Sequence, residues 1–550
     1  MNGFSGLAKN RIAPHSNPPR VANSRPLLVG TTIVAMDSDA VARRARFAIE
    51  RSEVDGVRVF SGNVPGQMQC MLAFRVGVAD ESVPTRGITH VVEHLAMYSV
   101  MQSLGAGDRY NARVEPLRTR FVAKGESDDI VAFLRQVTSN LASLPADRLA
   151  HEMRVLRTEA ANRDHGSVKW KWIYRFGAQG LGLVDYEEFG LRWLGPDAVL
   201  DWASRWFTAG NAVLWLSKPI PDGLVLNLPA GAAGELPEAK PLPYVTPAVY
   251  HVGDRWVSLS MLTSRVPALA LGTRIFDNEL RQLLRRDNPI AYNVNAIAER
   301  IDRSTGEITA FADSLQANSR QAADAIVGAV RRLAGSGPTA EELEAVKLNW
   351  RRTLADPEAP LGLLDAVALA ELDGVEPRMI DQADAEVEDV TAEDVAHVFG
   401  EGMKAAFLAL PFETKDDLEG FTPVPSGGGE RADGVAVTIR PGVAKRDIIN
   451  YSEDGISMTH DNGVVVGMRW EDIAGALWWA AGRIVLLGPD GSTLNVEPRN
   501  GATRRACTPR FGARSQATGG CRWTIRTQMR RRSLNRLGRC SSSVRPDSVA

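Results

Sequence analysis

The sequence predicts an α+β protein: two homologous α/β-sandwich domains, then a small β-rich module and a disordered tail. Three observations carry this. Strand-like and helix-like segments alternate from residue 46 onward, and the same order of elements returns after a Pro/Gly/Ala-rich linker at 226–245. Near residue 436 the texture changes to short strands and turns. A chain of 550 residues is also too long for one hydrophobic core, so two to four domains are expected.

Residues 1–45 are rich in Pro, Asn and Ser, lack sustained periodicity, and read as a leader or linker. In the first domain, 46–225, "GVRVFSG" and "QCMLAFRVGV" are strands, rich in β-branched and aromatic residues. "GITHVVEHLAMYSVMQSL" is helical and "TRFVAK" a strand. "SDDIVAFLRQVTSNLASL" and "PADRLAHEMRVLRTEAANR" are helices, and a helix near 195–207 with the strand "NAVLWLS" closes the domain. The second domain, 246–425, offers "VYHVGDRWVSLSML" as a strand and "ALGTRIFDNELRQLLRR" as a helix. "YNVNAIAERIDRSTGEITAFAD" follows as a strand pair, then several helices.

Two echoes argue for duplication. "PTAEELEAVKLNWRRTLA" repeats the Pro-led start of "PADRLAHEMRVLRTEAAN", and "TAEDVAHVFGEGMKAAFLAL" repeats "GPDAVLDWASRWFTAGNAVLWL". An internal repeat of about 200 residues speaks more strongly for architecture than either half alone. In the module at 436–500, "GPDG" between two alternating runs is a hairpin turn, and the short strands are compatible with a pleckstrin-homology-like barrel. The stretch 501–550 is Arg-rich with Asp547 as its single acid. It reads as a basic arm for nucleic acid, or as a disordered or out-of-frame tail. The second reading is preferred, because no period organises the charges.

Composition narrows the function. An apolar fraction of 44% and a charged fraction of 24% are those of an ordinary globular protein. A net charge of −2 gives no pull toward nucleic acid or anionic membrane, so neither is an expected partner. No uninterrupted apolar run spans a bilayer, and the N-terminus has no apolar core of a secretory signal. The four cysteines make no framework and no CxxC pair. A cytoplasmic location is expected.

The chemistry sits in "HVVEH". Residues four apart share a helix face, so His90 and His94 can place two imidazole nitrogens on one ion. Glu93 lies beside them, where a carboxylate can take a proton from a water polarised by the metal. With eight His in the chain, such a motif arises by chance with a probability of roughly one in a hundred or less. The bland alternative is two solvent-facing histidines on a surface helix. A catalytic zinc site wants a third protein ligand. The helix over 146–163 carries Glu152 and Glu159 seven apart on nearly one face, behind a stripe of Leu149, Met153 and Leu156. His151 and His165 compete for the role.

"VGVADESVPTRGITHVVEHLAMY" resembles the segment around the inverted H-x-x-E-H zinc motif of the pitrilysin–insulinase family, which includes the mitochondrial processing peptidases. "GAGDRYNARVEPLRTRFVAKG" resembles that family's Asn-Ala strand and the strand after it, and "HEMRVLRTEAAN" its third-ligand helix. The likeness covers roughly residues 50–425. It implies zinc, one per chain, on His90, His94 and Glu159, with Glu93 as general base and Glu152 as supporting carboxylate. It also implies a substrate strand beside Asn111 and Ala112. The second domain, with Ala345 and Arg352 where Glu152 and Glu159 have their counterparts, resembles the family's non-catalytic half. There "LRRDNPIAY" implies Arg285 and Tyr292 as substrate-gripping, transition-state-stabilising residues. Two departures stand out: a shorter gap between His94 and Glu159 than is usual, and "AMYSVMQS" after the motif.

The expected function is a zinc-dependent endopeptidase acting on peptides or unfolded polypeptide. It would pair as a homodimer, or with a related chain as a heterodimer. The rival is a non-catalytic homologue that serves as a structural or binding subunit.

Overall fold

The computed structural model describes residues 48–103, 109–162, 170–253, 256–377, 380–425, 427–438, 447–478, 483–496 and 522–523. The expected leader lies outside them, as does the tail except for Arg522–Trp523.

The first half runs β1 (Glu50–Val54), β2 (Val57–Ser61), β3 (Met68–Phe74), α1 (Ile88–Ser103), β4 (Tyr110–Val114) and β5 (Thr119–Gly125). It continues through α2 (Ser127–Ala142), α3 (Leu149–Asn162), α4 (Lys171–Phe176), α5 (Pro196–Trp206) and β6 (Ala212–Leu216). The six strands form one sheet in the order β1-β2-β6-β3-β5-β4, parallel only between β2 and β6. Strands buried on both faces read as continuous apolar runs, which is how "AVLWL" and "MQCMLAF" look. On one face α1, α2, α3 and α5 bury Ile88, Val92, Leu95, Phe133, Leu156 and Val199 against Leu72, Phe74 and Phe121.

The second half repeats this plan. It comprises β7 (Ala248–Val252), β8 (Trp256–Ser264), α6 (Pro267–Arg281), β9 (Ala291–Arg300), β10 (Thr305–Ser314), α7 (Ser319–Ser336) and α8 (Ala340–Ala355). Then come α9 (Ala359–Leu372), α10 (Ile380–Glu388), α11 (Ala392–Lys404), β11 (Ala406–Pro411) and β12 (Thr422–Pro423). The sheet order is β12-β7-β11-β8-β10-β9, with β7 and β11 parallel, the same crossover as in the first half. The two sequence echoes fall on α3 against α8 and on α5–β6 against α11–β11. The segment read as one strand, "VYHVGDRWVSLSML", is two, β7 and β8, which are not neighbours: β11 lies between them. Both are apolar enough that only the Gly-Asp break marks the division.

Each half lends a helix to the other. α9 lays Leu364, Val367 and Leu372 on the open face of the first sheet, against Met71, Val213 and Trp215. In return α4 brings Tyr174 over Tyr250 of the second sheet, with ring centroids 4.0 Å apart. α4 also carries charge into this contact. Lys171 Nζ donates to Glu307 Oε2 at 2.7 Å, Glu299 Oε2 at 3.0 Å and Thr309 Oγ1 at 2.9 Å. Trp172 Nε1 donates to Glu307 Oε2 at 2.8 Å, and Arg175 Nη2 to the Ser260 carbonyl at 2.9 Å.

Asp185 caps α4, accepting from the amides of Trp170 at 3.1 Å and Trp172 at 3.0 Å. Burial pushes its carboxyl up to about 6, against the pull of the Trp172 and Ile173 amides and of Lys171. An acid whose folded pKa is raised gains stability as pH falls through that pKa toward its unfolded value. Asp185→Asn keeps the acceptor without the charge. It is expected to raise the thermal midpoint at pH 8 and to flatten the rise in stability between pH 7 and 5. An unchanged pH slope in a series of melting curves would show that Asp185 does not set it.

The C-terminal module is two four-stranded sheets around one core. β13 (Val435–Thr438), β14 (Ile448–Tyr451), β15 (Gly455–Thr459) and β16 (Val465–Arg469) form the first. β17 (Gly475–Trp478), β18 (Ile484–Leu487), β19 (Thr493–Val496) and β20 (Arg522–Trp523) form the second, in the order β19-β18-β17-β20. Ile449, Ile456, Met468, Ile484 and Leu494 meet between them. "GPDG" is the β18–β19 turn, as the sequence predicts. β20 takes two residues of the expected tail onto the edge of β17. The helix that would close a pleckstrin-homology barrel is not among the described residues. Nor is any described helix long and apolar enough to cross a membrane.

Candidate metal centre

α1 begins where a buried carboxylate gathers its free amides. Glu81 Oε2 accepts from Gly87 N at 2.9 Å and Arg86 Nη1 at 3.1 Å, and Oε1 accepts from Thr89 N at 3.0 Å. A carboxylate at a helix N-terminus satisfies orphan N–H groups and opposes the positive end of the dipole. Burial pushes the Glu81 carboxyl up, and Arg86 and the amides pull against it. The apolar side of α1, with Val91, Val92 and Leu95, faces the core, which turns His90, Glu93 and His94 the other way.

The three ligand atoms of His90, Glu93 and His94 lie within 4.8 Å of one another. His90 Nδ1 stands 2.9 Å from Glu188 Oε1, and His94 Nδ1 stands 3.3 Å from Glu152 Oε2. Both rings thus turn Nε2 toward the common space. There His90 Nε2 is 3.6 Å from Glu93 Oε2, and His94 Nε2 is 3.6 Å from Glu159 Oε2. Two atoms each about 2.05 Å from a tetrahedral zinc are roughly 3.3–3.5 Å apart, so each gap by itself suits an ion, while Glu159 lies outside the group whose ligand atoms are all within 4.8 Å of one another. A carboxylate on the far nitrogen fixes the tautomer and raises the basicity of a ligating imidazole. The donor set therefore fits a divalent, nitrogen- and oxygen-liganded metal such as zinc.

Glu93 and Glu152 are buried, with side chains 9% and 10% exposed, whereas Glu159 is 44% exposed and marks the open side. His151 is exposed on α3, and His165 lies outside the described residues.

Glu188 escapes the sequence reading. It sits in a strap of short 3-10 turns, Gly180–Asp185 and Phe189–Arg192, with no period to point at it. The signal that bears on it is Gly87. This residue is left-handed at φ 100°, and a Cβ there would stand 2.9 Å from the Glu188 Cβ. Only glycine lets the strap approach the helix start so closely.

Asn111 and Ala112 lie on β4, the outer strand of the first sheet. Asn111 is exposed, its Oδ1 accepting from Ala112 N at 2.9 Å, and Ala112 is half-buried against the core. The outer edge of β4 has no partner among the described strands, as strand addition requires. Arg285 and Tyr292 meet each other, with the guanidinium 5.1 Å from the ring centroid. Arg285 rides on a π-helical turn, Gln282–Asp287, and Tyr292 is 73% exposed at the start of the outer strand β9. Among the described contacts neither residue touches the histidine–carboxylate group.

No protein-family model and no curated protein matches the sequence. Solved structures do match in fold. The first half of the periplasmic protease PqqL from Escherichia coli aligns at 15% identity and TM-score 0.51, over 66% of this chain and 92% of that one. A longer chain of PqqL aligns at 16% identity and TM-score 0.53, over 78% of this chain and 56% of that one. A protease from Helicobacter pylori aligns at 16% identity and TM-score 0.53, over 66% and 99%. A peptidase M16 inactive domain from Pseudomonas fluorescens aligns at 13% identity and TM-score 0.53, over 66% and 98%. The chain has the two-domain fold of the M16 peptidases, the fold that the resemblance around "HVVEH" implies.

Proposed function

We propose that this chain is a zinc-dependent endopeptidase for peptides or unfolded polypeptide segments. The observation that carries the reading is the paired arrangement of the two histidines. Each has Nδ1 against one carboxylate and Nε2 near another, Glu93 for His90 and Glu159 for His94. His90, His94 and Glu159 hold the ion, and Glu152 and Glu188 orient the rings. A bound zinc ion supplies Lewis acidity, polarising a peptide carbonyl and making water a better nucleophile. Glu93 takes the proton of the attacking water and returns it to the leaving amine. The substrate adds as a strand to the free edge of β4, which puts its backbone beside Asn111 and Ala112.

Arg285 and Tyr292 grip the substrate from the second domain, their exposure and mutual contact leaving both available to a peptide. Since the match spans 56% of the PqqL chain, this chain is expected to work as a pair, with a second copy or with a related chain. The fold shared with an inactive domain favours one rival, a non-catalytic binding subunit.

Metal content and cleavage of an unfolded polypeptide separate the two. One zinc per chain is expected, with cleavage abolished by a chelator and restored by zinc, and with both lost in His90→Ala. Zinc without cleavage leaves the binding-subunit reading. No zinc, or cleavage that survives the chelator, sinks the proposal.

A further inference from the structure

The C-terminal module takes no part in the chemistry above, yet its β18–β19 turn lies against the strap that carries Glu188. The Pro489 carbonyl accepts a hydrogen bond from Ala178 N at 3.0 Å. Gly177, left-handed at φ 72°, lies so near that a Cβ there would stand 2.0 Å from the same carbonyl oxygen. From the other side a Cβ on Gly491, left-handed at φ 81°, would stand 3.0 Å from Ile173 Cγ2. An apolar cluster seals the contact, in which Ala474 and Leu487 of the module pack with Val83, Ala178, Leu183 and Phe189.

The strap has the metal centre on its other side. Phe189 belongs to the cluster shared with the module, while its neighbour Glu188 bonds His90. Arg86 Nε donates to the Leu183 carbonyl at 2.9 Å, and Gly190 N donates to the Arg86 carbonyl at 2.9 Å. Arg157 Nη1, on the helix of Glu159, donates to the Leu191 carbonyl at 2.8 Å. Short 3-10 turns have little stability of their own, and such segments are held by what packs on them.

We propose that the C-terminal module is a clamp on the metal centre: Leu487 and the Gly488–Ser492 turn hold the 177–192 strap, and with it Glu188 against His90. The inference rests on the zinc reading above. Glu188 is a positioning residue, acting through His90. Because coupling free energies are reciprocal, zinc must tighten the module on the strap as much as the module tightens zinc.

The test uses the full chain and chelator competition for zinc. Leu487→Asp puts a charge into the sealed contact, and zinc affinity is expected to fall by about tenfold, the loss typical of groups that orient a ligand. Hydrogen exchange over 177–192 is expected to quicken. Gly177→Ala opens the same contact from the strap and leaves the module's own sequence untouched, so it decides the matter if Leu487→Asp does not fold. It is expected to weaken zinc to the same extent, and the double variant no further, since both remove one contact. In the wild type, added zinc is expected to slow exchange over 484–492. A wild type that binds no zinc overturns the metal reading, and the clamp with it. Zinc held by Gly177→Ala within about twofold of the wild type overturns the clamp alone.

Discussion

Glu93→Gln is expected to keep one zinc per chain and to lower kcat/KM on an unfolded polypeptide by about 10²–10⁴-fold, the usual contribution of a positioned acid–base group. That loss corresponds to roughly 3–5 kcal/mol of barrier. The amide has the shape of the carboxylate but cannot take a proton, so packing at this buried site is left as it is. The prediction is sharp because distance alone leaves two roles open. Glu93 Oε2 is as near to His90 Nε2 as Glu159 Oε2 is to His94 Nε2, both at 3.6 Å, and of the two carboxylates Glu93 is the one grouped within 4.8 Å of both histidines. If Glu159 is the ligand and Glu93 the base, Glu159→Gln loses zinc and Glu93→Gln keeps it. The reverse pattern exchanges the roles. Cleavage at the wild-type rate in Glu93→Gln removes general-base catalysis by this residue altogether.

Much of this centre is written locally. His90, Glu93 and His94 are legible because a helix brings residues three and four apart together, and Glu152 and Glu159 because seven residues make nearly two turns. What cannot be read is which helix lies beside which. Glu188 reaches His90 from 98 residues away, along turns with neither the period of a helix nor that of a strand. The duplication is visible in α3 and α8 and in α5 and α11, since those helices keep their apolar stripes, although the Thr caps of α8 and α11 have no counterpart at the Gly195 start of α5. The exchange of α9 and α4 between the halves is not. Leu364 and Val367 advertise burial, but nothing in "APLGLLDAVALAEL" says that the sheet they cover belongs to the other half. α4, six residues long, is too short for any periodicity to show. β1 is mostly exposed and charged, "ERSEV", and its pairing with β2 rests on backbone bonds that leave no apolar alternation. "GPDG" was legible as a turn, but its docking on Gly177 depends on a surface more than 300 residues upstream.

The contact that joins the two halves makes the second large prediction. Glu307→Ala is expected to destabilise the interface by about 3–5 kcal/mol, because removing one partner of a buried pair leaves the other charge uncompensated. Glu307 is wholly buried and accepts from Lys171 Nζ, Trp172 Nε1 and Ser260 Oγ at 2.6–2.8 Å. Burial alone would raise its pKa, but Lys171 and Arg175 outweigh that and hold it below its ordinary value of 4.5. Lys171 mirrors it: burial pulls it down, and Glu307 with Glu299 lifts it above its ordinary 10.5. An acid with a depressed pKa stabilises the fold fully above its unfolded pKa and loses that stabilisation as pH falls through the folded one. A base with a raised pKa does so below its unfolded pKa and loses it as pH rises through the folded one. The gap between wild type and Glu307→Ala is therefore expected to stay constant across neutral pH and to shrink below about pH 4.5. Hydrogen exchange of the α4 amides reads it directly. Lys171→Met combined with Glu307→Leu removes the bonded pair and leaves Arg175 on its carbonyl acceptors, and it is expected to cost less than Glu307→Ala, which strands both cations. If Glu307→Ala costs under about 1 kcal/mol at pH 7, the halves are held by α9 on the first sheet and Tyr174 on the second, and the buried charges are bystanders.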